Sequence, residues 1–186
     1  SAPNTAVWPD EAPGYKKIAS RPAQPPEQEI FKEFGFEAGE QATFSTASGR
    51  VTATAYRFTD STGAFGAYEL LRASSPKETV QAGNYVIRFS GAPDAKLAEA
   101  LAAQPGTDHR PLPTLTSYLP EAGLAPGSER FLLGPAGLAR FVPNVPAEAA
   151  AFQYGTEVAV ARYNLPNGAV NLALFSYPNP QIALQQ

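Results

Sequence analysis

The chain has 186 residues, a formal net charge of −3 and a charged fraction of 17%, below the usual share of about a quarter. It contains no Cys and a single His, which excludes thiol nucleophiles, disulfides and Cys-ligated metal centres. The sequence has no basic block and no apolar run of about 20 residues, so it predicts neither a nucleic-acid surface nor a transmembrane segment. We expect a globular protein that uses no cofactor and no metal.

Residues 1–29 differ from the rest of the chain in holding six prolines and few apolar side chains. Such a composition does not favour a helix or a strand of its own, and we interpret the segment as an extended arm. In an alternative interpretation, the aromatic side chains of Trp8 and Tyr15 fix it to the domain. The absence of Met, also at position 1, indicates a longer gene product from which a leader has been removed. We therefore expect export to the periplasm or the extracellular space.

Two hairpin–helix patterns follow one another before residue 105. Strands are predicted at 42–46, 51–58, 79–82 and 85–89. The helices are predicted to begin at Asp60 or Ser61 and at Pro93-Asp94, where capping residue types precede apolar stripes. A short helix over 26–34 comes before the first hairpin.

The second half of the chain begins with a Pro-rich loop over 107–127. Strands are predicted at 130–133, 156–163 and 170–177, and helices at 146–152 and 180–186. The sequence Asn167-Gly168 predicts the turn of a hairpin. Residues 135–146 are interrupted by prolines and are predicted to be irregular.

An internal repeat links the two halves. The shared features are an aromatic-x-x-Gly motif, an aromatic-x-aromatic strand end and a capping residue, found at 36–39 and 152–155, at 56–58 and 175–177, and at Asp60 and Asn179. We predict pseudo-repeat units at about 30–104 and 128–186 in a single α+β domain over 30–186. Antiparallel sheet with helices packed on one face is expected, and the hairpins of the two units lie either in one shared sheet or in separate sheets. The second unit lacks the ββα pattern that completes the first unit, so we expect residues 182–186 to be the truncated start of a longer segment.

No catalytic set is predicted. His109 is flanked by charges in the Pro-rich loop and lacks a partner set, so a solvated histidine is expected. Gly127-Ser128-Glu129 lacks the second glycine of a nucleophile elbow. The run 63–66 lacks the Lys and Ser/Thr of a phosphate loop, and a small-residue packing surface is the better interpretation.

Basic residues at strand ends are the candidate binding residues. The candidates are Arg57, Arg88 and Arg162, with the aromatic neighbours Tyr56 and Phe58. One interpretation is an exposed sheet face on which the Arg stems cover apolar surface. The other is a shallow face on which the three arginines together bind an anion or a peptide.

Several stretches resemble a bacterial family of predicted exported proteins of unknown function. They are residues 31–36, 56–68, 119–120, 127–135 and 177–183. The resemblance implies a single exported domain and no assigned activity, and it transfers no active-site residue.

The leading prediction is therefore an exported, non-enzymatic binding or scaffold domain whose partner is a protein or a small molecule. One alternative is a small-molecule carrier with an aromatic pocket that includes Tyr56, Phe58, Tyr85 and Phe89. The other is a hydrolase with an unrecognised site.

Overall fold

A computed structural model describes residues 6–186, which divide into unit 1, ending at Leu112, and unit 2, beginning at Pro113. The strands of unit 1 are β1 (Glu11–Ala12), β2 (Tyr15–Pro22), β3 (Phe36–Thr46), β4 (Gly49–Phe58), β5 (Thr79–Ala82) and β6 (Tyr85–Phe89). Its helices are α1 (Gln28–Glu33), α2 (Ser61–Arg72) and α3 (Ala95–Ala102). The strands form one antiparallel sheet in the order β1-β2-β3-β4-β6-β5.

Unit 2 contains a second antiparallel sheet. Its strands are β7 (Arg130–Leu132), β8 (Glu157–Leu165) and β9 (Gly168–Ser176), in the order β7-β8-β9. Its helices are α4 (Pro135–Phe141), α5 (Ala147–Ala150) and α6 (Pro180–Gln185), with 3₁₀ turns at Leu115–Tyr118 and Phe152–Tyr154. The predicted α+β class with antiparallel sheets and packed helices is confirmed.

Helices cover both faces of the six-stranded sheet, and not only one face as the sequence analysis expected. On the first face, which we call the α3 face, Phe44 and Ile87 pack in one apolar cluster with Leu97 of α3. On the second, which we call the α2 face, the ring of Phe31 in α1 lies 5.8 Å from that of Phe58. Small residues in the centre of the sheet, such as Ala53 and Ala55, leave room for these layers to approach closely.

The expected separate arm over 1–29 is wrong for the part that the structure describes, since β1 and β2 are strands of the sheet. The alternative holds, because Trp8 is only 2% exposed and its ring meets that of Phe44 at 5.3 Å. The hydroxyl of Tyr15 donates to Asp94 Oδ1 at 2.7 Å. The sequence permits β2 because no proline lies between Pro13 and Pro22, so its backbone N–H groups are available to the ladder.

A buried carboxylate holds this N-terminal segment in place. The backbone N–H groups of Val7 and Trp8 donate to Oε2 of Glu40 at 2.8 and 2.7 Å. The ammonium group of Lys17 lies 3.1 Å from Oε1 of Glu40 and 2.9 Å from the exposed carboxylate of Asp10. Burial lowers the pKa of Lys17, but its bonds to these two carboxylates outweigh that effect and raise the pKa above its ordinary value.

The glycines at the start of α2 are packing positions, in agreement with the interpretation of residues 63–66. A Cβ on Gly63 would meet the carbonyl oxygen of Phe34, and one on Gly66 would meet the Phe34 ring. The end of α1 therefore lies directly against the first turns of α2. The side chain of Asp60 caps α2 by accepting from the Gly63 N–H at 2.8 Å.

The predicted hairpins at the starts of the two units are present, and they lie in separate sheets. The β3–β4 hairpin has β2 and β6 as its neighbours, so both of its edges are already paired within unit 1. The β8–β9 hairpin lies in the three-stranded sheet and is followed by α6, which Asn179 caps by accepting from Ile182 N–H at 3.0 Å. That the two hairpin–helix units are copies of one another stays a prediction.

The segment over 135–146 contains α4, which the sequence analysis missed. Pro135 occupies the first turn, where a helix needs no N–H donor, and Pro143 comes after the helix has ended. A helix can form here because the prolines lie at its first turn and beyond its end, and none lies in its interior.

Replacing Glu40 with Gln is expected to lower the free energy of unfolding by about 2 kcal/mol, because hydrogen bonds to a charged group are replaced by weaker ones. Urea titration measures this loss. The fluorescence of Trp8, the only tryptophan, is expected to shift to the red as its pocket loosens. The control is Asp10→Asn, since this carboxylate contacts the same Lys17 but is 91% exposed. Equal effects of the two substitutions would contradict the assignment.

Replacing Gly63 with Ala is expected to destabilise the protein by about 1–3 kcal/mol, although Ala favours a helix more than Gly does. The added Cβ has no room against the Phe34 carbonyl. Thermal unfolding measures the effect, with Thr62→Ala on the preceding residue as the control. A Gly63→Ala variant as stable as the parent would show that α1 and α2 can move apart at little cost.

Candidate functional site

The three predicted arginines do not form one face. Arg57 pairs with Tyr85 and Arg88 with Thr54 across β4 and β6. Since Tyr85 and Arg88 are three residues apart on one strand, Arg57 and Arg88 project from opposite faces. Arg162 lies on β8, in unit 2.

Arg57 takes part in holding the N-terminal segment. Its Nε lies 3.3 Å from the Glu37 carboxylate, and its Nη1 donates to the backbone carbonyl of Ala6 at 3.1 Å. These contacts give the guanidinium a structural role on the α3 face.

Tyr56 and Phe58 do not line an aromatic pocket, because both are buried against Phe31 on the α2 face. Tyr56 and Arg88 both border a cavity of about 360 Å³. Burial raises the pKa of the Tyr56 hydroxyl, and the positive charge of Arg88 offsets part of this increase. The Glu78 carboxylate and several hydroxyl and amide groups complete this cavity. It is a polar cleft, with charges of both signs.

Arg162 lies in a different cavity, of about 300 Å³, in unit 2. Its lining residues are Ser128, Arg130, Arg140, Phe141, Val160, Ala161, Arg162 and Asn171. We call these residues the arginine pocket. Three guanidinium groups border it, and the lining residues that the structure describes include no carboxylate.

Strand register brings two of the arginines together. Arg130 on β7 pairs with Val160 on β8, and Arg162 follows two residues later on β8, beside Asn171 on β9. Side chains two residues apart share a face, so these residues all project from one side of the three-stranded sheet. Leu138 of α4 packs in the same apolar cluster as Val160. The helix thus lies over this face, and its last turn brings in the third arginine.

Phe141, at the end of α4, organises the remaining side chains. The guanidinium carbons of Arg130 and Arg140 lie over its ring, at 5.5 and 5.1 Å from the ring centre. Asn171 Nδ2 donates to the Phe141 backbone carbonyl at 3.3 Å. Cation–π contacts of this kind restrict the two guanidinium groups over the ring. Arg130 Nη1 also donates to the backbone carbonyls of Gly127 and Glu129, at 2.9 and 2.7 Å, which fixes this guanidinium at the start of β7.

Ser128 has a structural role at the rim of the pocket. Its Oγ accepts from the Arg162 backbone N–H at 3.0 Å and contacts the Arg162 carbonyl at 3.3 Å. The hydroxyl therefore acts as a strand partner for β8 and fixes the backbone from which the exposed Arg162 side chain projects.

His109 lies in unit 1 beside a different charged group. Asp108 Oδ2 accepts from the Ser61 N–H at 2.8 Å, at the start of α2, and from Arg110 Nη2 at 2.9 Å. The hydrogen bonds from Arg110, followed by those from backbone N–H groups, hold the pKa of the Asp108 carboxyl well below its usual range. The exposed His109 is the residue between these two partners, and the contacts around it are those of a helix cap.

Sequence reasoning identified Arg162 but missed Arg130, Arg140 and Phe141. The available signal was alternation, because Arg162 follows Val158 and Val160 at the same period and Arg130 precedes Leu132 in the same way. Each arginine therefore ends an apolar row. The contribution of Arg140 depends on α4, which was not predicted.

Among residues 6–186, no group of three or more His, Cys, Asp or Glu side chains is arranged to hold a metal ion. The helices of this part of the chain are too short or too polar to cross a membrane. Comparisons with protein-family models, curated proteins and solved structures found no match to this chain.

The Asp108 cap is expected to make stability depend on pH in the acid range. Because its pKa is lower in the folded state than in the unfolded state, the ionised carboxylate stabilises the fold above about pH 4, and this contribution is lost as the pH falls. In melting curves from pH 7 to pH 2, Asp108→Asn is expected to lie below the parent at pH 7 and to approach it at low pH. Asp10→Asn serves as the reference, and a constant gap between Asp108→Asn and the parent would refute this account.

Proposed function

We propose that the protein is a non-enzymatic binding domain that takes up an anionic group in the arginine pocket. The observation that carries the proposal is the convergence of Arg130, Arg140 and Arg162 on one open cavity. Guanidinium groups bind carboxylates, phosphates and sulfates through paired N–H donors, which makes arginine the usual residue for such recognition.

The charges of the pocket favour a ligand with more than one negative charge. Three arginines line a cavity of about 300 Å³, and an anion among them is attracted by each guanidinium group. The three arginines of this cavity contrast with the net charge of −3 of the protein as a whole. An anion held here also contacts the amide of Asn171, which adds a neutral polar group to the site.

The chemistry of the pocket favours binding over hydrolysis. Its only hydroxyl among the described lining residues is that of Ser128, and this group is hydrogen-bonded to the backbone of Arg162. A nucleophilic serine needs a base within hydrogen-bonding distance. The single His of the chain is His109, on the other unit.

We further propose that the protein acts outside the cytoplasm, as a domain of an envelope or secreted protein. The resemblance of residues 31–36 and 56–68 to predicted exported proteins supports this location. The lack of Cys and Met is compatible with it. A fusion of the complete gene product to a reporter that is active only after export tests the location directly.

Isothermal titration of the full chain with inorganic phosphate, sulfate and citrate at low ionic strength tests the anion site. We expect Arg162→Ala to weaken binding of the best of these anions at least tenfold, because a charge-assisted hydrogen bond contributes about 1.5–3 kcal/mol. The melting temperature is expected to stay nearly unchanged, since the Arg162 side chain is exposed. The association constant should fall as the salt concentration rises, because salt screens the attraction between the anion and the arginines.

The matched control is Arg88→Ala, an exposed arginine on a strand of unit 1, which should bind all three anions as the parent does. If Arg88→Ala abolishes binding and Arg162→Ala does not, the ligand lies in the polar cleft of unit 1 and the proposal fails. Binding that neither substitution changes, or no binding of any of the three anions, also contradicts it.

A further inference from the structure

The outer edge of β9 is open in the part of the chain that the structure describes. The strand pairs with β8 from Gly168 to Ser176, and no described strand lies on its other side. Alternate residues of such a strand direct their N–H and C=O groups away from the sheet. The first four residues of β9 are exposed and the next four are half-buried, so these backbone groups are accessible to another strand.

The other outermost strands are much shorter. β1 has two residues, β5 has four and β7 has three, whereas β9 has nine. The part of β2 that β1 leaves uncovered contains Arg21, Pro22 and a register shift. Proteins commonly protect an edge by shortening it, by adding charges or proline, or by a bulge. β9 contains no charged residue and no proline, and its pairing with β8 runs without a register shift. Of the described edges it is therefore the long unprotected one.

The sequence around β9 is also free of charge. From Tyr163 to Gln186 the chain contains no Asp, Glu, Lys, Arg or His. Large apolar side chains are exposed here, with Val170 at 47% and Leu184 at 87%. An edge strand in such a surface favours a partner strand that is itself uncharged and apolar.

We propose that this partner is β9 of a second copy of the chain, paired antiparallel about Leu172 to form a symmetric dimer. In this register Asn171 lies opposite Ala173, Val170 opposite Leu174, and Ala169 opposite Phe175 of the second copy. Two of these pairs, Val170 with Leu174 and Ala169 with Phe175, are apolar on both sides, and Ala173 and Ala169 leave room for the larger Asn171 and Phe175 opposite them.

No like charges meet in this arrangement. Arg162 lies beside Asn171, so its Cα and that of Arg162 in the second copy are separated by three strand spacings and two residues along the strands, about 16 Å in all. This distance exceeds the Debye length of about 10 Å at 0.1 M salt. The two arginine pockets lie on the same side of the joined sheet. The small Ala173 of the second copy, next to Asn171, leaves each pocket open.

The dimer closes on itself. Pairing of the two β9 edges gives a sheet in the order β7-β8-β9-β9-β8-β7, with a three-residue strand at each end. Neither end offers a long edge, so we expect this pairing to form a discrete dimer and not a fibre. The proposal concerns a surface next to the arginine pocket and does not depend on anion binding.

Sedimentation velocity of the full chain from about 1 to 500 µM tests the proposal, since dimers held by a modest interface dissociate in the micromolar range. The parent is expected to shift from monomer to dimer across this range. Val170→Lys is expected to raise the dissociation constant at least tenfold, because it places an ammonium group opposite Leu174 of the second copy. Val170→Thr keeps the branched shape without charge and is expected to dimerise.

Hydrogen exchange at the two ends of the concentration range identifies the surface. Amides of β9 are expected to become protected as the dimer forms, and those of β5 are not. Ala169→Lys, at an exposed position, replaces Val170→Lys if the latter fails to fold. A parent that stays monomeric, a dimer that the lysine substitutions leave intact, or open-ended aggregation without a discrete dimer would each overturn the proposal.

Discussion

The buried carboxylate of Glu40 is the constraint on which unit 1 depends. It lies on a central strand, is only 4% exposed, and accepts from two consecutive backbone N–H groups as well as from Lys17. A carboxylate in such a place is stable only when it is fully bonded, so the N-terminal segment must be seated for the sheet to tolerate it. In return, the segment brings Trp8 over Phe44 and completes the apolar cluster that α3 also covers. Val7 and Trp8 thus satisfy the Glu40 carboxylate with their backbone N–H groups and fill the apolar cluster with their side chains.

Unit 2 uses its smaller sheet in another way. One face is covered by α4 and α5, and at the end of that face the apolar rows give way to arginines. The aromatic ring of Phe141 separates the apolar interior from the charged rim, since it contacts two guanidinium groups and its carbonyl accepts from Asn171. The pocket is therefore a continuation of the packing of the unit, and its geometry follows from strand register and from one short helix.

Local signals predicted much of the fold, and long-range pairing accounts for what was missed. Asp60 and Asp94 cap the starts of α2 and α3, and both helix starts were predicted correctly. β2 was missed because its pattern is weak and its stability comes from pairing with β3. The candidate arginines were grouped because their neighbours along the chain are similar. In the structure Arg57 pairs with Tyr85, which lies three residues from Arg88, so the two arginines project from opposite faces. This pairing between β4 and β6 cannot be deduced from the sequence alone.

The position of the N-terminal segment also orders events in time. Its backbone is held by Glu40, and Gln104 Nε2 donates to the Val7 carbonyl at 3.0 Å across 97 residues of sequence. Val7 therefore has no complete set of partners until the chain has been synthesised beyond α3. Contacts so distant in sequence form late, because closing a long loop costs entropy before any contact rewards it. Until then Val7 and Trp8 cannot take up the positions that they have in the folded protein.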